Sequence, residues 1–113
     1  MSVDQYKKVQ GSGQAVDATP DVELIAAVTG KIIRLKKAII CVNVVADGGG
    51  EVALEDGEGG TRFFEADADA LGVYRIDFGE EGWDLTTGNA LNLTVDGATT
   101  DATATCTAIA VIV

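Results

Sequence analysis

The chain has 113 residues, 47% of them hydrophobic, enough for a single domain that buries roughly 65% of the surface its unfolded form exposes, without metal or disulfide staples. Lysine and arginine total 8 against 18 acids, a formal net charge of −10, and such a surface repels phosphate backbones and excludes nucleic acid as a general partner. Histidine is absent, which removes the commonest general base near neutral pH and the commonest transition-metal ligand.

Taken from the N-terminus, the opening Met1-Ser2-Val3-Asp4-Gln5 has neither a basic nor an apolar leader region, so classical secretion is not expected. Residues 1–21 read as an arm and linker, with a short strand at 6–9. Gly11-Ser12-Gly13-Gln14 has the composition of a flexible spacer, and the arm carries too little apolar surface for a core of its own. It is expected to order on binding, with Tyr6, Lys7, Lys8 and Val9 as interface residues that add to a neighbour's sheet edge.

Residues 22–113 read as one all-β domain. Short β-branched runs bounded by Gly and Asp predict strands at 22–27, 32–45, 51–55, 61–65, 74–78, 90–95 and 102–113, the spacing of an antiparallel β-sandwich, jelly-roll-like. The 32–45 run breaks its period of two at Lys36-Lys37, which predicts a bulge, with Ile33, Leu35, Ile39, Cys41 and Val44 on its apolar side. Asp47-Gly48-Gly49-Gly50 and Asp56-Gly57-Glu58-Gly59-Gly60 predict two exposed hairpin turns. Residues 66–71 allow a single helical turn. The closing strand is apolar to Val113 and belongs in the centre of a sheet or at a subunit contact. Its Ile109 to Val113 run is far short of the roughly 20 residues of a membrane span, so no membrane partner is expected.

Chemistry-bearing clusters are few. Glu65, Asp67 and Asp69 alternate and Asp56 and Glu58 share a glycine turn, but Ala70 and Ile76 stand where a calcium loop needs Gly and Glu, so no metal and no cofactor are expected. Paired carboxylates could be drawn from the acids, yet few aromatics are available to wall a site, and no enzyme activity is expected. Cys41 and Cys106 read as two reduced, buried thiols. Lys31, Arg34, Lys36 and Lys37 concentrate half of the basic residues in seven positions. Arg34 and Lys36 fall on one strand face, which reads either as a solvated face or as a contact for an acidic partner, another copy included. Trp83, after Gly82, reads as a structural anchor that closes one end of the sandwich against Phe78 and Leu85.

From Lys31 onward, the Gly-Lys-Ile-Ile-Arg-Leu strand opening, the glycine-rich hairpin, Gly82-Trp83 and the Thr87-Gly88-Asn89-Ala90-Leu91-Asn92-Leu93 segment resemble small virion proteins of tailed bacteriophages, of the capsid decoration (cement) or small tail type. The resemblance implies a non-enzymatic virion protein, assembled in the host cytoplasm, that binds the major capsid protein and stabilises the head shell as a homotrimer. The alternative is a small tail or fibre component with a receptor- or carbohydrate-binding role.

Overall fold

The computed structural model describes residues 7–16, 21–44, 50–68, 70–96 and 102–113. They form the strands β1 (Lys7–Val16), β2 (Val22–Ile25), β3 (Ile33–Val44), β4 (Glu51–Asp56), β5 (Thr61–Asp67), β6 (Gly72–Asp77), β7 (Trp83–Asp84), β8 (Leu91–Asp96) and β9 (Thr103–Ile112). Two antiparallel sheets result, one ordered β1-β9-β3-β6 with β7 paired to β3, the other β2-β8-β4-β5. Setting the short β7 aside, consecutive strands alternate between sheets except at the β4–β5 hairpin. This is the jelly-roll order, built from two Greek keys.

Side-chain alternation builds the core. Leu91, Leu93 and Val95 of β8 and Val52 and Leu54 of β4 point inward and meet Ile33, Leu35, Ile40 and Val42 of β3 and Ala104, Cys106, Ala108 and Ala110 of β9. The alanines of β9 are small, so the facing leucines can reach the mid-plane. β9 lies between β1 and β3, central in its sheet, as its apolar composition predicts.

The bulge is where the sequence puts it: the β3–β9 register shifts between Leu35 and Lys37. Its consequence for facing is the reverse of the expected one. One extra residue moves the inward phase to Ala38, Ile40 and Val42, all buried, so Ile39 and Cys41 look outward. Cys106 is buried and Cys41 only partly so, both as free thiols. Burial, with the Cys41 sulfur a lesser cause, pushes the Cys106 thiol up to about 12.

Three further expectations are corrected. β3 and β4 lie in different sheets, so the segment between them is a crossover and not a hairpin; its residues 45–49 lie outside the described residues. Ala66 and Asp67 continue β5 in register with Val52 and Glu51, which removes the helical turn. The described part of the arm, β1, pairs with β9 of its own chain from Lys7 opposite Ile112 to Val16 opposite Thr103.

The glycines of that arm are therefore not a spacer. A Cβ on Gly11 would stand 1.8 Å from the Leu24 carbonyl oxygen, and one on Gly13 would stand 2.6 Å from a Val22 methyl. Their missing side chains let β2 lie directly on β1, which closes that side of the sandwich.

Candidate interaction site at the aromatic edge

The opposite side, between β5 of one sheet and β6 and β7 of the other, gathers every aromatic ring among the described residues. Phe64 meets Tyr74 edge to face at 6.3 Å, Phe63 meets Phe78 edge to face at 6.2 Å, and Phe63 stacks on Trp83 at 5.7 Å with the ring planes 15° apart. Tyr74 also donates its hydroxyl to the Asp67 carbonyl at 2.8 Å, so the seam joins the sheets by polar and apolar contacts alike. Offset stacking and edge contacts of this kind are each worth about 0.5–1.5 kcal/mol beyond area burial.

Trp83 is positioned by backbone pairing that sequence spacing does not reveal. β7 pairs with the start of β3, Trp83 opposite Leu35 and Asp84 opposite Arg34. Gly82 makes the approach possible at φ +71°, where a Cβ would stand 2.8 Å from the Leu35 carbonyl oxygen. Behind it, Asp56 fixes the next loop: its carboxylate accepts from Thr86 N–H at 3.0 Å, Thr86 Oγ1 at 2.8 Å and Asn89 Nδ2 at 3.0 Å. Asp56 thus has a structural task. Asp56→Ala is expected to lower stability by about 1–3 kcal/mol, since it strands these donors, and a thermal unfolding curve reads the loss.

Trp83 does bridge the two sheets, but through Phe63. Leu85, at 2% exposure, fills the core beside it, whereas Trp83 remains 47% exposed. The expected anchor is thus only half-buried. Next to the ring, Arg34 donates from Nε to Asp84 Oδ1 at 2.7 Å and from Nη2 to Asp84 Oδ2 at 3.1 Å, a forked pair. The Arg34 guanidinium holds the Asp84 carboxyl below its usual range. Arg34, Glu81, Gly82, Trp83 and Asp84 line an open depression of about 510 Å³. Lys36, at the bulge, reaches over the adjoining loop and donates to the Glu80 carbonyl.

Three residues singled out in the sequence, Arg34, Lys36 and Trp83, thus come together on one edge. The arm residues lie elsewhere. Lys8 is exposed and Val9 half-buried on β1, Lys7 is placed only as the first residue of that strand, and Tyr6 lies outside the described residues. Phe63 was not anticipated as a site residue; its signal was the doublet Phe63-Phe64 across the β4–β5 bulge, which turns both rings toward the core edge.

The second sheet presents a different surface. Glu55, 3% exposed, lies under Asp21 and beside Arg62, which also pairs with Asp96 and, at 3.6 Å, with Glu51. Burial first, then the Asp21 carboxyl, pushes Glu55 up to about 7. Burial acts to raise Asp21 too, but hydrogen bonds with Glu55, Gly59 N–H and Thr94, and the charge of Arg62, outweigh it and leave Asp21 below its usual value. The pair shares one proton, held by Glu55. Between about pH 4.5 and about 7 the folded protein keeps a proton that the unfolded chain has released, so this contribution to stability is full below that window and is lost as pH rises through it. Glu55→Gln is expected to flatten the decline, measured as denaturation midpoints across the window; an unchanged slope would contradict the shared proton.

No protein-family model and no curated protein matches the chain. Among solved structures, a chain from the Bacillus endospore appendages, which form a family of disulfide-linked pili, is similar at a TM-score of 0.47 with 12% identity, covering 97% of this chain and 93% of that one.

Proposed function

We propose that this protein is a non-enzymatic structural component of a tailed-phage virion, a decoration protein that binds the major capsid protein as a homotrimer and reinforces the head shell. The observation that supports contact through this surface is the half-exposed Trp83, stacked on Phe63 and flanked by the forked Arg34–Asp84 pair. Tryptophan and arginine dominate interface energetics, because a large preorganised ring buries much area at little entropic cost. The Arg34–Asp84 pair balances its own charge beside the ring. The attribution to a phage head follows from the sequence resemblance, and multiplicity suits it: three modest contacts per trimer add by avidity on a lattice of identical sites.

The test is to add purified protein to particles that lack it and to image them at side-chain resolution by cryo-electron microscopy. Ordered density on the head lattice with Trp83 at the contact is expected. Density on the tail alone would replace the decoration reading with that of a tail component, and no bound density on any particle would overturn both.

A further inference from the structure

Bases and acids are sorted between the two sheets. Of the 8 bases, β1 carries two, β3 three and β6 one, whereas the strands of the other sheet carry Arg62 alone. Arg62 pairs with Glu51, Glu55 and Asp96, and Arg34 pairs with Asp84. Lys37 and Arg75 are exposed and make no ion pair among the described residues. Two unpaired bases side by side are unexpected in a chain whose 18 acids outnumber its bases.

Strand register sets these bases around an apolar floor. Lys37 is opposite Asp77 on β6 and Ile109 on β9, and Ile39 is opposite Arg75 and Thr107. All of them look outward, because Ala38 and Ala108, which alternate with them, are buried. Lys37 and Arg75 are therefore diagonal neighbours, roughly 7–8 Å apart, a gap that one carboxylate spans. Asp77 does not close it: its Oδ1 accepts from Gly79 N–H at 2.8 Å. Between the strands lies a shallow depression of about 260 Å³ walled by the two bases and by Ile39, Thr107 and Ile109. Ile39 and Ile109 are 43% and 46% exposed. Lys8, opposite Val111 on β9, adds a further base at the rim.

We propose that this depression seats an acidic segment of a partner protein, its carboxylate bridging Lys37 and Arg75 and an apolar side chain of the same segment lying on Ile39 and Ile109. An apolar centre with a charged rim is the anatomy of a protein contact, and the Arg75 guanidinium is shaped to hold a carboxylate by two parallel hydrogen bonds. Charge sets the number of acids. Lys37, Arg75 and Asp77 together leave a single positive charge, which one carboxylate neutralises, while a polyanion would be repelled by a chain of net −10. In an extended segment residues two apart face the same way, roughly 7 Å from each other, so an acid followed two positions later by an aliphatic residue matches the bases and the apolar floor. This contact goes beyond docking through Trp83 and does not depend on it.

The experiment is an NMR titration of the protein alone with blocked pentapeptides of sequence Leu-Ser-Glu-Ser-Leu and its glutamine and lysine counterparts. The glutamate peptide is expected to shift the amides of Ile39, Arg75 and Thr107, to weaken as salt is raised, and to bind several-fold more tightly than the glutamine peptide. Lys37→Glu with Arg75→Glu should lose roughly tenfold in affinity for the glutamate peptide and gain affinity for the lysine peptide. Ile109→Ser should weaken the glutamate peptide while leaving its salt dependence intact, and Glu51→Lys with Glu65→Lys on the other sheet should change nothing at these amides. Unfolding curves confirm that each variant is folded. Absence of shifts at these amides, or equal affinity for the glutamate and glutamine peptides, would overturn the site. Equal shifts with inorganic phosphate would overturn its apolar half. Shifts of the same amides on concentrating the free protein would give the place to an acid of a second copy and overturn a foreign partner. Attachment through Trp83 is read separately on particles, so either contact can fail without the other.

Discussion

Gly11→Ala is expected to destabilise the protein by about 3 kcal/mol, at the upper end of what overpacking costs. The added methyl would fall 1.8 Å from the Leu24 carbonyl oxygen and 2.8 Å from Ile25 Cγ1. Neither neighbour can yield cheaply, since one is backbone and the other belongs to a buried side chain. β2 or β1 must lift, and lifting β1 exposes Ala15 and breaks pairs with β9 along its length. The control is Ser12→Ala: Ser12 alternates with Gly11, lies exposed on the outer face, and should change stability by less than about 0.5 kcal/mol. Urea unfolding of the three proteins side by side checks the pair. Equal midpoints for Gly11→Ala and the parent would mean that β2 does not rest on β1.

Trp83→Ala is expected to separate stability from binding. A fully buried ring costs about 3–5 kcal/mol when truncated, but this ring keeps 47% of its surface in solvent and shares one face with Phe63. The loss in unfolding free energy should be nearer about 1.5 kcal/mol, and Leu85 should still seal the core behind it. At the contact the same truncation removes an anchor, for which a loss of at least about 2 kcal/mol, roughly thirtyfold in affinity, is typical. A midpoint that falls by the full amount of a buried tryptophan would return Trp83 to a purely structural role.

Much of the fold was legible because the information is local. Alternation at Val52 and Leu54 and at Leu91, Leu93 and Val95 identifies strands with one inward face, and the broken period at Lys36-Lys37 identifies the bulge. What failed depended on long-range geometry. Gly11 and Gly13 have the composition of a linker, and only the position of β2 shows that they make room for a neighbouring strand. The glycine run near residue 48 looks like a hairpin turn, but strand order places β3 and β4 in different sheets. The phase after the bulge was read with Ile39 and Cys41 inside, since both are apolar; the small Ala38 takes that place beneath them. The candidate site was legible in its members and not in its assembly. Arg34 and Trp83 each stood out for residue type, but the pairing of β7 with β3 that brings Asp84 onto Arg34 spans 50 residues and leaves no periodic trace. The shared proton of Glu55 and Asp21 was hidden for the same reason: Glu55 alternates outward in sequence and becomes buried only under Asp21.

The central claim is that the protein acts by docking the Trp83 edge onto a protein lattice, and the most direct measurement is occupancy under competition. Parent and Trp83→Ala proteins, mixed in equal amounts and confirmed folded by their unfolding curves, are offered to particles that lack the protein, and the bound fractions are counted by mass spectrometry. The account predicts that bound protein is overwhelmingly parent, with Trp83→Ala depleted by an order of magnitude or more. Equal occupancy of the two folded proteins would contradict it.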